Sequence, residues 1–311
     1  MSFSYTISPS IDQGAALNFQ DSFYALAQRT ESDLVKTKAI IYLPSKGKTN
    51  NFARIGRIEL EEVAGRNPDK AYGDYALDNR QFTKRRFTRT ITLDKKNDIN
   101  ELLSDPTSSI LVQLDAAKER TIDRVAIAAA VGNVLVGAPD VATSSISAAT
   151  DGVITIDATA GCTYDIVQAI TQTFINNEVP AKDFRGSTLC ITGVENTDLM
   201  GEDQFINQDY IKSLPVDLAG VMTQAGTYNV AVYAGSSTGG GTIPQPYLPE
   251  TSTQRTCVAL APGSIAMAIE LGDMGVSPNP NKVNSIDITI DLWINAMRTE
   301  GVKVVAFTTT I

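Results

Sequence analysis

Two short segments concentrate charged side chains that could carry out acid–base chemistry. The residues are Glu59, Glu61, Glu62, Arg85, Arg86 and Arg89. Neighbouring carboxylates with shifted pKa values can act as general acid and base, so the set could be interpreted as a catalytic cluster. Oppositely charged residues on extended arms more commonly form cross-strand or inter-subunit ion pairs. We favour the ion-pair interpretation and take all of these residues as candidate contacts between subunits.

Two further carboxylates, Asp287 and Asp291, lie four residues apart, on the same face of a predicted strand. They could bind a cation, but calcium takes six to eight oxygen ligands and no third oxygen-rich residue is near in sequence. A solvated polar face is the better interpretation. The glycine run at 239–241 is not followed by the Lys-Ser or Lys-Thr pair of a phosphate-binding loop. The sequence therefore predicts neither a metal nor a cofactor.

The chain of 311 residues contains no histidine. This excludes Ser-His and Cys-His nucleophiles and every zinc site that uses histidine. The three cysteines, Cys162, Cys190 and Cys257, form no CxxC pair, and we predict buried, reduced thiols. Chemistry based on carboxylates, lysine, tyrosine or a bound cofactor remains open, but the expectation is that the protein is not an enzyme.

The overall charge and hydropathy restrict the partners of the chain. With 26 Lys and Arg against 35 Asp and Glu, the formal net charge is −9, which argues against a sequence-independent grip on nucleic acid phosphates. No apolar run of about 18 residues could span a bilayer, and the N-terminus lacks the pattern of a secretory signal. We therefore predict a protein that does not enter membranes and is made in a reducing cytoplasm.

These charged segments belong to a predicted long hairpin. Residues 52–63 and 85–93 alternate polar and apolar side chains and would form its two arms, with residues 64–81 as the connecting loop. The arms carry only a narrow apolar edge. Such a ribbon buries little on its own, so it must lie on another surface, either its own chain or a neighbouring one.

A long helix follows the hairpin. Ser104 or Asp105 can cap it, Pro106 suits its first position and Gly132 can end it, which predicts about 24 residues. Its last turns are apolar nearly all round and must be covered on several sides. Mixed helices and strands over about 135–280, including a helix at 164–179, then indicate the α+β class.

The C-terminal segment carries the clearest strand pattern. Residues 286–294 alternate isoleucine or leucine with Asp287, Thr289, Asp291 and Trp293, and residues 298–301 are predicted to turn this strand into a final one. An N-terminal arm with one helix, a hairpin with too little apolar surface and a lone long helix all leave groups that a monomer would not use. We therefore expect a self-assembling protein.

This order of elements resembles the tailed-phage major capsid proteins of the Hong Kong 97-like fold. The resemblance is sharpest over residues 85–133, in the Arg85-Arg86 pair, the Asp105-Pro106 helix start and the Ala-rich helix end. It implies an N-terminal arm at 1–45, an extended E-loop hairpin at 46–98, a peripheral domain with the spine helix at 99–160, an axial domain at 161–275, and C-terminal strands at 276–311 that return to the peripheral domain. The loop at 236–252 would face a neighbouring subunit or a symmetry axis.

The resemblance also implies a function. The chain would assemble into pentamers and hexamers of an icosahedral shell that encloses packaged double-stranded DNA without sequence-specific binding. Its further partners would be a separate scaffolding protein, a portal protein and a decoration protein, with assembly in the host cytoplasm and no crosslinking of the shell. Three alternatives stay open: an encapsulin-type nanocompartment, a carboxylate-dependent enzyme and a secreted β-rich adhesin.

Overall fold

The structure, a computed structural model, describes residues 29–44, 46–60, 62, 73, 75–94, 107–137, 144–206, 221–235, 247–251 and 253–311. Its helices are α1 (Asp33–Lys36), α2 (Thr107–Val131), α3 (Tyr164–Asn176), α4 (Ala181–Phe184), α5 (Gly193–Met200) and α6 (Asp203–Ile206), with a 3-10 turn at Gly301–Lys303. The predicted N-terminal helix, the Ser104–Pro106 helix start and most of the 236–252 loop lie outside the described residues.

The described strands form three sheets. They are β1 (Ile40–Tyr42), β2 (Thr49–Ile55), β3 (Leu77–Thr83), β4 (Arg85–Asp94), β5 (Val134–Val136), β6 (Ser144–Ile146), β7 (Ile154–Asp157), β8 (Thr188–Thr192), β9 (Gln224–Ala225), β10 (Tyr228–Tyr233), β11 (Gln254–Leu260), β12 (Ile265–Pro278), β13 (Ser285–Arg298) and β14 (Val304–Thr310). The strand orders are β1-β12-β13-β4, β7-β14-β11-β8-β10-β9 and β2-β3-β5-β6. Mixed sheets and helices confirm the α+β class.

The predicted long helix is α2, which spans 25 residues. It lies across β13 and β12 of the β1-β12-β13-β4 sheet. In its N-terminal half Leu114 packs against Ile288 and Ile290 of β13. Its C-terminal turns are buried more completely, with Ala126, Ile127 and Ala130 fully enclosed, while Ala128 stays exposed. These turns are therefore buried on several sides, as their apolar sequence predicts.

The six-stranded sheet holds most of the hydrophobic core. All five residues of its strand β8 are buried. Helix α3, which matches the predicted helix at 164–179, packs on β7 and β14 and buries Val167, Ile170 and Phe174. Continuous apolar runs suit strands that are covered on both faces.

The hairpin differs from the prediction in its second arm. Strand β2 pairs antiparallel with β3, from Thr49 opposite Thr83 to Ile55 opposite Leu77, so part of the predicted 64–81 loop is a strand. The predicted second arm is β4, which pairs instead with β13. The physical reason is the apolar face of β4, because Ile91 and Leu93 extend the cluster under α2. The expected cross-strand pairing of 52–63 with 85–93 is therefore wrong.

The two C-terminal strands also differ from the prediction. The alternation of β13 is confirmed, with Ile288, Ile290, Leu292 and Ile294 buried. The final strand β14, however, does not pair back onto β13 and lies between β11 and β7 in the six-stranded sheet. Most residues of β14 are buried, which suits an interior strand. The segment at 298–301 thus connects two sheets rather than two arms of one hairpin.

Candidate inter-subunit surface

A buried charge cluster fixes the base of the hairpin. Asp151, in the loop before β7, accepts a hydrogen bond from Arg80 Nη1 at 2.9 Å and one from Arg298 Nε at 2.7 Å. The side chains of Arg80 and Arg298 are fully buried and that of Asp151 is 3% exposed. Arg54, on β2, approaches the same carboxylate at 3.8 Å. We call these four residues the arginine hub.

The arginine hub joins all three sheets and the end of the long helix. Arg298 Nη1 donates to the carbonyls of Ala130 and Gly132 at the C-terminus of α2, and Arg80 Nη1 donates to the carbonyl of Arg298. Gly301 lies so close to Asp151 that an added side chain would overlap the Asp151 carbonyl oxygen. One carboxylate therefore sets the position of the hairpin relative to the rest of the chain.

Asp151 is ionised in this environment. Burial alone would raise the pKa of its carboxyl group, but the hydrogen bonds and positive charges of Arg80 and Arg298 outweigh burial and lower that pKa below its ordinary value. Burial lowers the pKa of Arg298, yet its bonds to Asp151 act in the opposite direction. Because removal of one partner from a buried ion pair leaves an uncompensated charge, the arginine hub depends on Asp151.

Beyond its base, the hairpin exposes apolar side chains. Those that are more than half exposed are Ile55, Ile58, Leu60, Tyr75 and Leu77. Leu60 is the extreme case at 98%. Monomeric proteins rarely expose contiguous apolar patches without a partner that covers them. This part of the hairpin is therefore a candidate contact surface.

Two acidic residues of the candidate set, Glu59 and Glu62, lie on this exposed arm. Glu59 pairs with Arg57, whose guanidinium also reaches Glu178 after α3 at 2.5 Å. Glu62 is exposed, and Glu61 lies outside the described residues. Since β2 pairs with β3, Glu59 and Glu62 do not face the arginines of β4 across a hairpin within the chain.

The basic residues of the set lie on β4, an edge strand of the β1-β12-β13-β4 sheet. Arg86 is already paired, to Asp291 at 2.8 Å, and stands 5.8 Å from the ring centre of Trp293. This hydrogen bond raises the pKa of Arg86 and lowers the pKa of Asp291. Arg85 and Arg89, both exposed, pair with no carboxylate within the described part of the chain.

The other candidate groups are structural. Asp287 accepts hydrogen bonds from Thr92 and Asn279, and the described residues hold no group of three or more potential metal ligands. Cys162, Cys190 and Cys257 are free and buried, as predicted. Burial, together with the nearby charge of Glu195, raises the pKa of Cys162 to about 12, so this thiol is not a nucleophile near neutral pH.

Sequence reasoning missed the buried arginines. Besides the arginine hub, Arg255 is fully buried and pairs with Glu195 at 3.0 Å and Glu250 at 2.6 Å. Asp151 stands in a polar stretch and Arg298 in a predicted turn, where charged residues are ordinarily solvated. No local signal marks Asp151 and Arg298 as partners, because they are 147 residues apart in the chain.

The fold defines the class of protein. The structure is similar to the capsid of Ralstonia phage GP4, with 10% identity, 99% of this chain and 98% of that chain covered, and a TM-score of 0.64. It is similar to the head structure of Helicobacter pylori bacteriophage KHP40, with 8% identity, 99% of both chains covered and a TM-score of 0.64. Gordonia phage Cozz gives 13% identity, 100% and 99% coverage and a TM-score of 0.61. The architecture is the Hong Kong 97-like capsid fold.

The family follows from the sequence comparison. Residues 11–310 match the phage capsid protein family, and the chain belongs to it. The comparison with curated proteins finds no match. The chain is a major capsid protein that forms the shell of a phage, which confirms the predicted identity and function. Among the described helices, none has the length and apolar character needed to cross a membrane.

Proposed function

We propose that copies of this shell protein associate into pentamers and hexamers through the hairpin. The acidic arm that carries Glu59, Glu61 and Glu62 of one copy would contact Arg85 and Arg89 on β4 of its neighbour. The observation that carries the proposal is the pair of exposed arginines without a carboxylate partner among the described residues, in a chain whose acidic hairpin arm is also exposed. Complementary charges at an interface steer association and fix its register.

Arg86 contributes less to this proposed contact than Arg85 and Arg89. Its bidentate bonds to Asp291, at 2.8 and 3.0 Å, already use the guanidinium within its own chain. It supports β4 and presents less free charge than Arg85 or Arg89. We therefore rank Arg85 and Arg89 first among the basic candidates.

The remaining parts of the role extend the family assignment. The shell encloses packaged double-stranded DNA without sequence-specific contacts, which the net charge of −9 supports. Assembly takes place in the host cytoplasm with a separate scaffolding protein, a portal protein and a decoration protein. The role is structural, without catalysis. The divisions at residues 45, 98, 160 and 275 are the proposed limits of arm, E-loop, peripheral and axial domains.

The test is size-exclusion chromatography followed by negative-stain electron microscopy. One variant replaces residues 58–73 with a short Gly-Ser linker, which removes Glu59, Glu61 and Glu62 but keeps β2, β3 and Arg80. The full chain should give closed shells or capsomer rings, and the shortened hairpin should give neither. A matched replacement of exposed residues 280–282, which leaves Val283 in place, should assemble normally. A well-behaved monomer from the unaltered chain, or shells from the shortened one, would contradict the proposal.

A further inference from the structure

A groove lies beside the base of the hairpin, where the end of α2 meets strands β3, β5 and β13. Its volume is about 420 Å³, in the range of sites that hold a buried side chain or ligand. The lining is mainly apolar and includes Phe82, Val125, Ala128, Leu135 and Met297. Ala128 and Leu135 are exposed, so the groove opens to the surface.

One charged residue stands in this apolar lining. Arg85 contributes to the groove and is exposed. Its only ring contact within the described residues is with Phe87 of its own strand, at 6.0 Å, and it pairs with no carboxylate there. The groove therefore suits an apolar side chain that is accompanied by a carboxylate.

The hairpin arm carries this combination of side chains. Leu60 is 98% exposed, with Glu59 directly before it and Glu62 two residues after it. A chain cannot fill its own groove with this residue, because the groove includes Thr83 at the base of the β2–β3 ladder. The ladder begins at Thr49, opposite Thr83, and ends at Ile55, which is about 20 Å from that base. Leu60 follows beyond the Ile55 end of the ladder. A second copy can supply the leucine that the hairpin holds away from its own groove.

We propose that Leu60 of one copy inserts into this groove of a neighbouring copy, with Glu59 or Glu62 beside the neighbour's Arg85. The inference rests on the proposed hairpin contact and adds the pocket that receives it. Hot spots at interfaces commonly consist of a central apolar anchor in a pocket with charged pairs around it. Loss of the leucine anchor should weaken association about ten-fold or more.

Disulfide crosslinking tests the contact directly. The full chain with Leu60→Cys and Ala128→Cys is assembled and then oxidised mildly. We expect a ladder of covalent dimers and higher multimers on a non-reducing gel, reversed by a reductant. Each single-cysteine variant is the control, and the native cysteines are buried and should not react. Shells that form normally without a ladder would overturn the groove assignment and leave the hairpin contact intact.

Two substitutions give an independent measurement if the cysteine pair itself prevents assembly. Ala128→Phe fills the groove at an exposed helix position, and Ala128→Ser leaves it open. We expect the phenylalanine variant to lose at least about ten-fold in assembly yield with an unchanged melting temperature, and the serine variant to assemble like the unaltered chain. Normal assembly of Ala128→Phe would also overturn the inference.

Discussion

The six-stranded sheet and the hairpin are stabilised in opposite ways. The sheet buries its apolar residues, including all of β8 and the helix residues Ile170 and Phe174 that cover it. The hairpin exposes its apolar residues and is fixed at its base by buried arginines around Asp151. The six-stranded sheet buries its apolar surface within one chain. The hairpin is held in place by ion pairs and leaves its apolar side chains exposed, which supports the proposed contact with another copy.

The largest effect is expected from Asp151→Asn. The substitution keeps the size of the side chain but removes its charge, which leaves Arg80 and Arg298 buried without a full counter-charge. We expect a loss of about 3–5 kcal/mol in the free energy of unfolding, measured by urea denaturation. Hydrogen exchange should rise first in β2 and β3.

Asp115→Asn is the control for this substitution. Asp115 pairs with Lys118 on the exposed surface of α2. Its loss should change the free energy of unfolding by less than about 0.5 kcal/mol. Equal effects at Asp115 and Asp151 would show that the arginine hub does not hold the hairpin.

The next comparison exchanges apolar side chains in the two regions. Ile191→Ala removes a fully buried side chain from β8 and should cost about 2–4 kcal/mol of unfolding free energy. Ile58→Ala, on the exposed hairpin arm, should cost less than about 0.5 kcal/mol but should reduce assembly. Thermal unfolding and light scattering measure the two properties separately. A stability loss at Ile58 as large as that at Ile191 would contradict the distinction between the regions.

The pH dependence of stability provides a smaller effect. The pKa of Asp151 is lower in the folded chain than its ordinary value, so its contribution is complete above the ordinary carboxyl pKa of about 4. The contribution is lost as pH falls through the lower folded-state pKa. Unfolding free energy should therefore fall less steeply with acidification in Asp151→Asn than in the unaltered chain. Parallel pH profiles would argue against an ionised Asp151.

The smallest effect on a single chain concerns the exposed charges. Glu62→Arg should leave the melting temperature unchanged and reduce assembly, because one exposed ion pair is worth about 0.2–1 kcal/mol per contact. Combination with Arg85→Glu in the same chain should restore assembly by reversing both charges. Assembly is followed by light scattering at low salt, where exposed charges are least screened. If the double variant assembles no better than either single variant, Glu62 and Arg85 do not contact each other between copies.

The prediction of individual elements succeeded where the signal was local. Helix α2 and strand β13 follow from periodicities of 3.6 and 2 residues, which depend only on neighbours in sequence. The resemblance over residues 85–133 identified the capsid class, although the structural neighbours share about 10% identity with this chain. The candidate arginines and glutamates were found by charge alone, and their contact between subunits stays a prediction.

The choice of strand partners could not be predicted in the same way. Strand β4 was expected to return to the hairpin, but its apolar face fits β13 and α2 better than the polar β2. Strand β14 was expected beside β13, but its buried sequence suits the interior of the six-stranded sheet. Both pairings depend on which apolar surfaces of distant segments cover one another when the whole chain folds.

By itself, the amino-acid sequence determined the helices α2 and α3, the alternation of β13, the absence of histidine chemistry and the membership of a capsid family. Only the tertiary structure decided that Asp151 meets Arg80 and Arg298, which are 71 and 147 residues away from it. The physical reason is that helix and strand patterns arise between near neighbours, whereas a buried ion pair exists only when distant segments exclude water together.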